Sequence, residues 1–416
     1  MSTPSKLGVK QVLMLAVACA AIWLQGCGGG GDEAPAEANT TPKGVWALPA
    51  TDLLSDLSAF NVPLPSPLTI SNQTVRQAIT LVSSGEKLRL KLSNVYGTSA
   101  VKIAKVTAAL GTEAGVVTAG TSVPVSFNGS SSVTIPAGTE IWSEPFALRA
   151  TAGNPVNVDL FINDSTSITT GRLFQAHPAL VTPGDQSGTA VLAGATTATA
   201  RFMLTEVDAF NPLLKRVVVA FGDSITEGTG GSRYTTYLQQ RFDAGPPQAG
   251  SVAVVNQGIG GNRWLRDRFG PSGVSRLQRD VLDVSGITDV VMLMGINDIQ
   301  LDAIYPEEKA NADQIISAIS SAISRAKNNE IKVFLGTILP WGASVYYSEE
   351  RESVRASINS WIRSNTDIDG LIDFDKALQD PSNPNALNPI YDSGDHVHPN
   401  QAGYQKMADT FDLTRF

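Results

Sequence analysis

The chain has 416 residues, 42% of them hydrophobic and 17% charged, which leaves room for two packed cores of ordinary domain size. Its formal net charge of −8, from 31 basic and 39 acidic residues, offers no stripe of Lys and Arg to meet a phosphate backbone, so nucleic acid is not an expected partner.

Residues 1–26 read as an export leader. Lys6 and Lys10 give a positive start, and residues 12–24 run apolar for only 13 positions, short of the about 20 that a bilayer span requires. Leu24-Gln25-Gly26-Cys27 then resembles the lipobox of bacterial lipoproteins, with Gln25 in place of the usual small residue. That resemblance implies a lipidated Cys27 as the mature N-terminus and a cell-envelope lipoprotein, on the bacterial outer membrane in the first instance; simple secretion is the alternative. Cleavage removes Cys19, so no intrachain disulfide is expected. Loss of Lys6 and Lys10 takes the formal charge from −8 to −10, which disfavours adhesion to anionic lipid by charge. Residues 27–44, Gly-rich and then rich in Ala, Pro, Glu and Thr, bury too little apolar surface to order themselves and are expected to form a tether.

Over residues 45–212 short runs alternate polar and apolar side chains, as in Lys87-Leu88-Arg89-Leu90-Lys91-Leu92 and Val156-Asn157-Val158-Asp159-Leu160. Period two predicts half-buried strands. Further strands are predicted at 101–109, 122–127, 132–135 and 201–207, and the natural packing is an all-β sandwich of jelly-roll type. After Asn211-Pro212 the rhythm changes to apolar runs at 217–221, 252–255, 289–294, 331–335 and 371–374, with helical spacing over 310–327 and 349–363 between them. Residues 213–416 are therefore predicted to form a doubly wound α/β domain on a mostly parallel sheet, with its site at the carboxyl ends of the strands.

Four blocks in that second region carry chemistry. Ser224 follows a strand through Gly222-Asp223, on a strand-to-helix turn where a nucleophile is exposed; an ordinary turn with an N-cap serine reads the same way. Thr226 stands where the G-x-S-x-G elbow of α/β-hydrolases needs glycine. A serine needs an imidazole base oriented by a carboxylate. Of the three histidines, His177 lies in the β-rich region, whereas His396 and His398 lie in Tyr391-Asp392-Ser393-Gly394-Asp395-His396-Val397-His398-Pro399. Asp395 with His398 and Asp392 with His396 are competing pairs. Asp395, His396 and His398 have no upstream cluster to complete a catalytic zinc site, so no metal is expected. Asn256-Gln257-Gly258-Ile259-Gly260-Gly261-Asn262 and Gly295-Ile296-Asn297-Asp298 can supply oxyanion donors, although Asn297 also suits a plain turn.

Together, and in this order, the blocks resemble the GDSL or SGNH hydrolase family, a flavodoxin-like α/β class, over about residues 213–416. The resemblance implies Ser224 as nucleophile, His398 as base oriented by Asp395, and an oxyanion hole of the Ser224 and Gly261 amides with the Asn297 side chain. Gly258 is the rival for the glycine role. The β-rich first region and the second block also look like a subgroup of secreted GDSL enzymes from xylan-degrading systems. That narrower likeness implies removal of acyl groups, acetyl above all, from a polysaccharide or oligosaccharide.

Arg263, Trp264 and Trp341, with Tyr346 and Tyr347, are candidate substrate contacts on the rim, with core packing as the competing role for each aromatic. His177, Asp185 and Gln186 would complete the pocket if the β region packs over it. The expectation is a cofactor-free, monomeric serine esterase whose partners are an ester substrate and a membrane reached through Cys27. A lysophospholipase, thioesterase or arylesterase, and a non-catalytic glycan-binding surface lipoprotein, are the alternatives.

Overall fold

In strand β1 (Lys43–Ala47) the Gly44 amide donates to Ser285 O at 2.8 Å, so the chain is already ordered two residues inside the segment expected to be tether. The computed structural model describes residues 41–55, 57, 64–65, 68–173, 178–245 and 251–416. The expected leader, Cys27, most of the expected tether and His177 lie outside the described residues.

The first region is rich in antiparallel strands. Its principal strands are β2 (Gln73–Thr80), β3 (Gly85–Ser93), β4 (Lys105–Leu110), β5 (Pro155–Ile162), β6 (Thr170–Leu173), β7 (Ala200–Phe202) and β8 (Leu204–Phe210). A five-stranded sheet contains the run β1-β8-β3, and a six-stranded sheet contains β2-β5-β4. Leu88, Leu90 and Leu92 of β3 and Val156, Val158 and Leu160 of β5 point into one shared apolar cluster, which is what alternation with period two allows. The single strand expected at 201–207 is two strands. Met203, with φ of +60°, turns the chain between β7, which pairs β6, and β8, which pairs β3. The strand expected at 101–109 likewise divides, because residues 101–103 pair with 133–135 while β4 joins β5.

The second region is built on a parallel sheet of five strands in the order β10-β9-β11-β12-β13: β9 (Arg216–Gly222), β10 (Val252–Gly258), β11 (Asp289–Leu293), β12 (Lys332–Gly336) and β13 (Gly370–Ile372). Its central strands read as unbroken apolar runs because both faces are covered: all five residues of β11 are buried. The connecting helices are α1 (Ser224–Glu227), α2 (Tyr234–Ala244), α3 (Gly273–Leu277), α4 (Ile296–Gln300), α5 (Ala312–Lys327), α6 (Glu349–Ser364), α7 (Phe374–Leu378) and α8 (Gln401–Asp409). Asn311 and Gln314 close a reciprocal capping box at the start of α5, and Ile315, Ile319 and Ile323 sit on its buried face. Helix α8 is capped by Asn400, whose side chain accepts the Gly403 amide.

Residues Thr40–Phe416 make one compact unit. Polar ties join its two regions: Arg279 donates to Ala50 O at 2.9 Å and to the Tyr96 hydroxyl at 3.1 Å, and Arg89 donates to Ser285 Oγ at 3.1 Å. Among the described residues no helix is long and apolar enough to cross a membrane.

Candidate active site

Strand β9 ends at Gly222, and the next residue caps the following turn. The Asp223 carboxylate accepts the Ile225 amide at 3.0 Å, so the cap is the aspartate and the Ser224 hydroxyl stays free of it. Ser224 Oγ lies 2.7 Å from His398 Nε2. On the far side of the ring, His398 Nδ1 faces Asp395 Oδ2 at 2.6 Å. A carboxylate can only accept, so Nδ1 carries the proton and the Nε2 lone pair is directed at the serine hydroxyl.

Both histidine–carboxylate pairs foreseen for the last loop form, and they do different things. His396 Nδ1 lies 2.5 Å from Asp392 Oδ2, but only the Asp395–His398 pair reaches Ser224. Each imidazole is held by a different carboxylate, and among the described residues no group of three or more His, Cys, Asp or Glu is placed to hold a metal ion. The loop is shaped by its own backbone: Ser393 N donates to His398 O at 3.0 Å, and Asn400 Nδ2 donates to Asp392 O at 3.1 Å. Asp395 Oδ1 accepts the Val397 and His398 amides at 2.9 and 2.8 Å. Partial burial pushes the Asp395 carboxyl up, but its bonds from the His398 ring and from these amides outweigh it and hold the group below the ordinary carboxylate range. Asp395 is therefore a standing anion behind the imidazole.

The glycine block follows β10 and turns back toward the nucleophile; a Cβ built on Gly260 would sit 3.8 Å from the Ser224 Cβ. Gly261 has φ of +74°, and a Cβ there would come within 2.5 Å of the Phe269 ring, so the turn admits only glycine. The Gly258 amide is occupied by Asn256 Oδ1 at 2.9 Å. Among the described residues neither the Ser224 nor the Gly261 amide has an acceptor. Asn297 Nδ2 donates to Asn262 O at 3.0 Å and its Oδ1 accepts from Gln300 at 2.8 Å, which orients the amide and leaves one of its two N–H groups over. The arrangement can move a proton from a serine hydroxyl to an imidazole beside amides able to receive a negative oxygen.

Residues 220–406 match the model of the GDSL-like lipase/acylhydrolase family. This stretch is a GDSL-like acylhydrolase domain. A domain of that family supports a carboxylic ester hydrolase. Among solved structures it is similar to a GDSL-like lipase from Bacteroides thetaiotaomicron, 26% identical over 47% of this chain and 85% of that one, with a TM-score of 0.35. It is also similar to the acetylxylan esterase Axe2 from Geobacillus stearothermophilus, 21% identical over 48% of this chain and 95% of that one, with a TM-score of 0.38. No curated protein matches it.

Three expected rim contacts are buried inside the GDSL-like domain instead. Trp264 and Trp341 are each 1% exposed, with their indole N–H groups donating to Met294 O and to Glu352 Oε2. Large apolar rings with a satisfied polar handle are stable in a core, and these two present no face to a ligand. Arg263 is 3% exposed and pairs with Glu308 at 2.5 Å, so its charge is already answered. Tyr346 and Tyr347 are partly buried against the core. Asp185 pairs with Lys105, and Gln186 bonds Thr182 and Ala193 within the β region.

Several groups that shape the site carry no role in the sequence reading. Asp298 accepts the Trp264 and Leu265 amides at 2.8 and 3.0 Å, pinning the third block to the second; burial pushes it up to about 6. Asp223 is pushed up to about 7, again by burial. Arg276, fully enclosed, donates to Gly222 O, Gln257 O and Asn262 Oδ1 at 2.8 to 2.9 Å and stacks over Phe221, and burial lowers it to about 10. One guanidinium thus ties the ends of β9 and β10 to the glycine block. Only adjacency to Asn297 could have drawn notice to Asp298; Arg276 has no local signal.

Proposed function

We propose that this chain is a serine esterase acting through an acyl-enzyme. Ser224 attacks the ester carbonyl as His398 Nε2 takes its proton, and Asp395 stabilises the imidazolium. The Ser224 and Gly261 amides with Asn297 Nδ2 hold the tetrahedral oxyanion, His398 protonates the leaving alcohol, and water repeats the sequence on the acyl-enzyme. The observation that carries this reading is the continuous relay from Ser224 Oγ through His398 to Asp395, at 2.7 and 2.6 Å.

For the substrate, we favour an acetylated polysaccharide or oligosaccharide. The relay lies at the surface, with the His398 and Asp395 side chains 24% and 52% exposed, which suits a bulky hydrophilic leaving group that remains in water. We further read residues 45–212 as a jelly-roll-like accessory domain, and residues 1–26 with Cys27 as the leader and lipid attachment point of an exported, monomeric enzyme.

The test uses p-nitrophenyl acetate, acetylated xylan and a lysophospholipid as substrates of the full chain. Ser224→Ala should lower turnover by roughly 10⁶-fold. Retained hydrolysis would remove Ser224 from the mechanism, and a preference for the lysophospholipid would overturn the glycan reading alone. Acyl labelling of the chain that persists in Cys27→Ser would refute the lipid attachment.

A further inference from the structure

Glu227 closes the single turn that begins at Ser224, and its carboxylate bridges the two regions of the chain. One oxygen accepts the Gly260 amide at 2.7 Å, and the other accepts Nη2 of Arg172, on β6 of the β region, at 2.5 Å. Gly260 packs beside Ser224 and immediately precedes Gly261, the amide assigned to the oxyanion hole. The Arg172 and Glu227 side chains are only 6% and 18% exposed, so water competes weakly for these charge-assisted bonds.

The surroundings of Arg172 argue that this pairing is not there for the stability of the β region. Its direct cross-strand partner is Arg201, a buried like charge, and such pairs destabilise a sheet. Burial and the nearby Arg233 lower the Arg201 guanidinium to about 10, and among the described residues Arg201 meets the Ala78 carbonyl and the Trp46 ring but no carboxylate. Among the described residues Glu227 is the one carboxylate that pairs with Arg172. An arginine kept opposite another arginine, and aimed out of its own region at the turn carrying the nucleophile, is explained by what it does there.

We propose that Arg172 is a positioning residue for ester hydrolysis: it fixes the Glu227 carboxylate, which holds the 260–261 backbone so that the Gly261 amide faces the oxyanion. The inference rests on the serine-esterase reading above, and through it the β region completes the oxyanion hole of the neighbouring domain. Without Arg172 the carboxylate loses its ion-pair partner from the β region, its hold on the Gly260 amide loosens and the Gly261 donor drifts. The hole acts on charge that develops in the transition state, so turnover falls while substrate binding is largely kept.

The experiment measures kcat and KM of the full chain on p-nitrophenyl acetate. Arg172→Met and Glu227→Gln should each lower kcat about 10- to 100-fold with KM held within about twofold, and Arg172→Lys should recover much of the loss. The double variant should be no slower than the slower single, because both cut one link. Inhibition by phenylboronic acid, whose serine adduct is tetrahedral, should weaken in step with kcat. Arg89→Met severs a different contact between the regions and should keep full turnover. Glu227→Gln carries the test should Arg172→Met fail to fold. Full turnover in Arg172→Met or in Glu227→Gln, or an equal fall in Arg89→Met, overturns the proposal while Ser224→Ala is inactive. Hydrolysis surviving in Ser224→Ala removes the underlying reading of the site and takes the proposal with it.

Discussion

Away from the serine, buried charges close on one another in both regions: Arg76 meets Asp159 and Lys91 meets Glu206 at 2.6 Å in the β region, and Arg355 meets Glu352 and Asp375 at 2.7 and 2.6 Å in the α/β region. Around the serine they reach for backbone. Arg276 bonds Asp280 but turns its other donors to the carbonyls of Gly222 and Gln257, while Asp298 and Asp223 accept the amides of the loops after β9 and β10. Closed pairs fill core positions that have no reacting group to align. Charge bonded to backbone holds irregular segments where regular secondary structure has ended, and those segments carry the serine and its oxyanion donors.

Substitutions of charged groups around the serine and away from it should therefore separate into losses of turnover and losses of stability. The largest expected effect is at Asp395. Asp395→Asn keeps the shape but removes the anion that sets the His398 tautomer, and kcat should fall about 10⁴-fold, near 5.5 kcal/mol of barrier, at nearly unchanged Tm. Asp392→Asn, at the second histidine pair, should leave kcat within about threefold, because Asp392 does not touch the ring that faces Ser224. Comparable losses from both would erase the distinction between the pairs.

Next comes the closed pair of the β region. Arg76→Met strands Asp159 in the interior and should cost about 3 to 5 kcal/mol in chemical denaturation, with kcat of the folded fraction unchanged. A kcat loss without a stability loss would break the contrast. Asn297→Ala should do the reverse, lowering kcat roughly 100- to 1,000-fold, or about 2.7 to 4 kcal/mol, with KM little altered.

The smallest effect is in pH. Burial raises Asp298 to about 6 and Asp223 to about 7, above the ordinary aspartate value of about 3.9, so the folded protein holds these protons more tightly than the unfolded chain. Their contribution to stability is complete below about pH 4 and is lost as pH rises through about 6 and 7. Asp395 has the opposite sign, and its contribution is lost as pH falls below about 4. Thermal unfolding between about pH 5 and 8 should show Tm declining by a few degrees, and Asp298→Asn should flatten that decline.

Much of this was legible locally. Apolar runs marked the strands of the parallel sheet to within one to three residues, and period two marked β3 and β5, because burial on two faces or on one imposes those patterns directly. Strand breaks at Met203 and Ala104 were not legible, since a change of sheet partner leaves the alternation intact. Whether Trp264 and Trp341 face a ligand or the core was not legible, because a large aromatic has the same sequence signature in either place; the structure buries both.

By itself the sequence determined the chemical inventory: one serine on a strand-to-helix turn, two histidines among carboxylates, and glycines and an asparagine able to donate. Residue type and short-range spacing are enough for that. Only the tertiary structure decided that His398 rather than His396 meets Ser224, that the Gly258 amide is occupied while that of Gly261 is not, and that Arg172, 55 positions from Glu227, reaches the nucleophile's turn. Those outcomes depend on distances between segments far apart in the chain, and on which of several equally capable groups burial leaves without a partner.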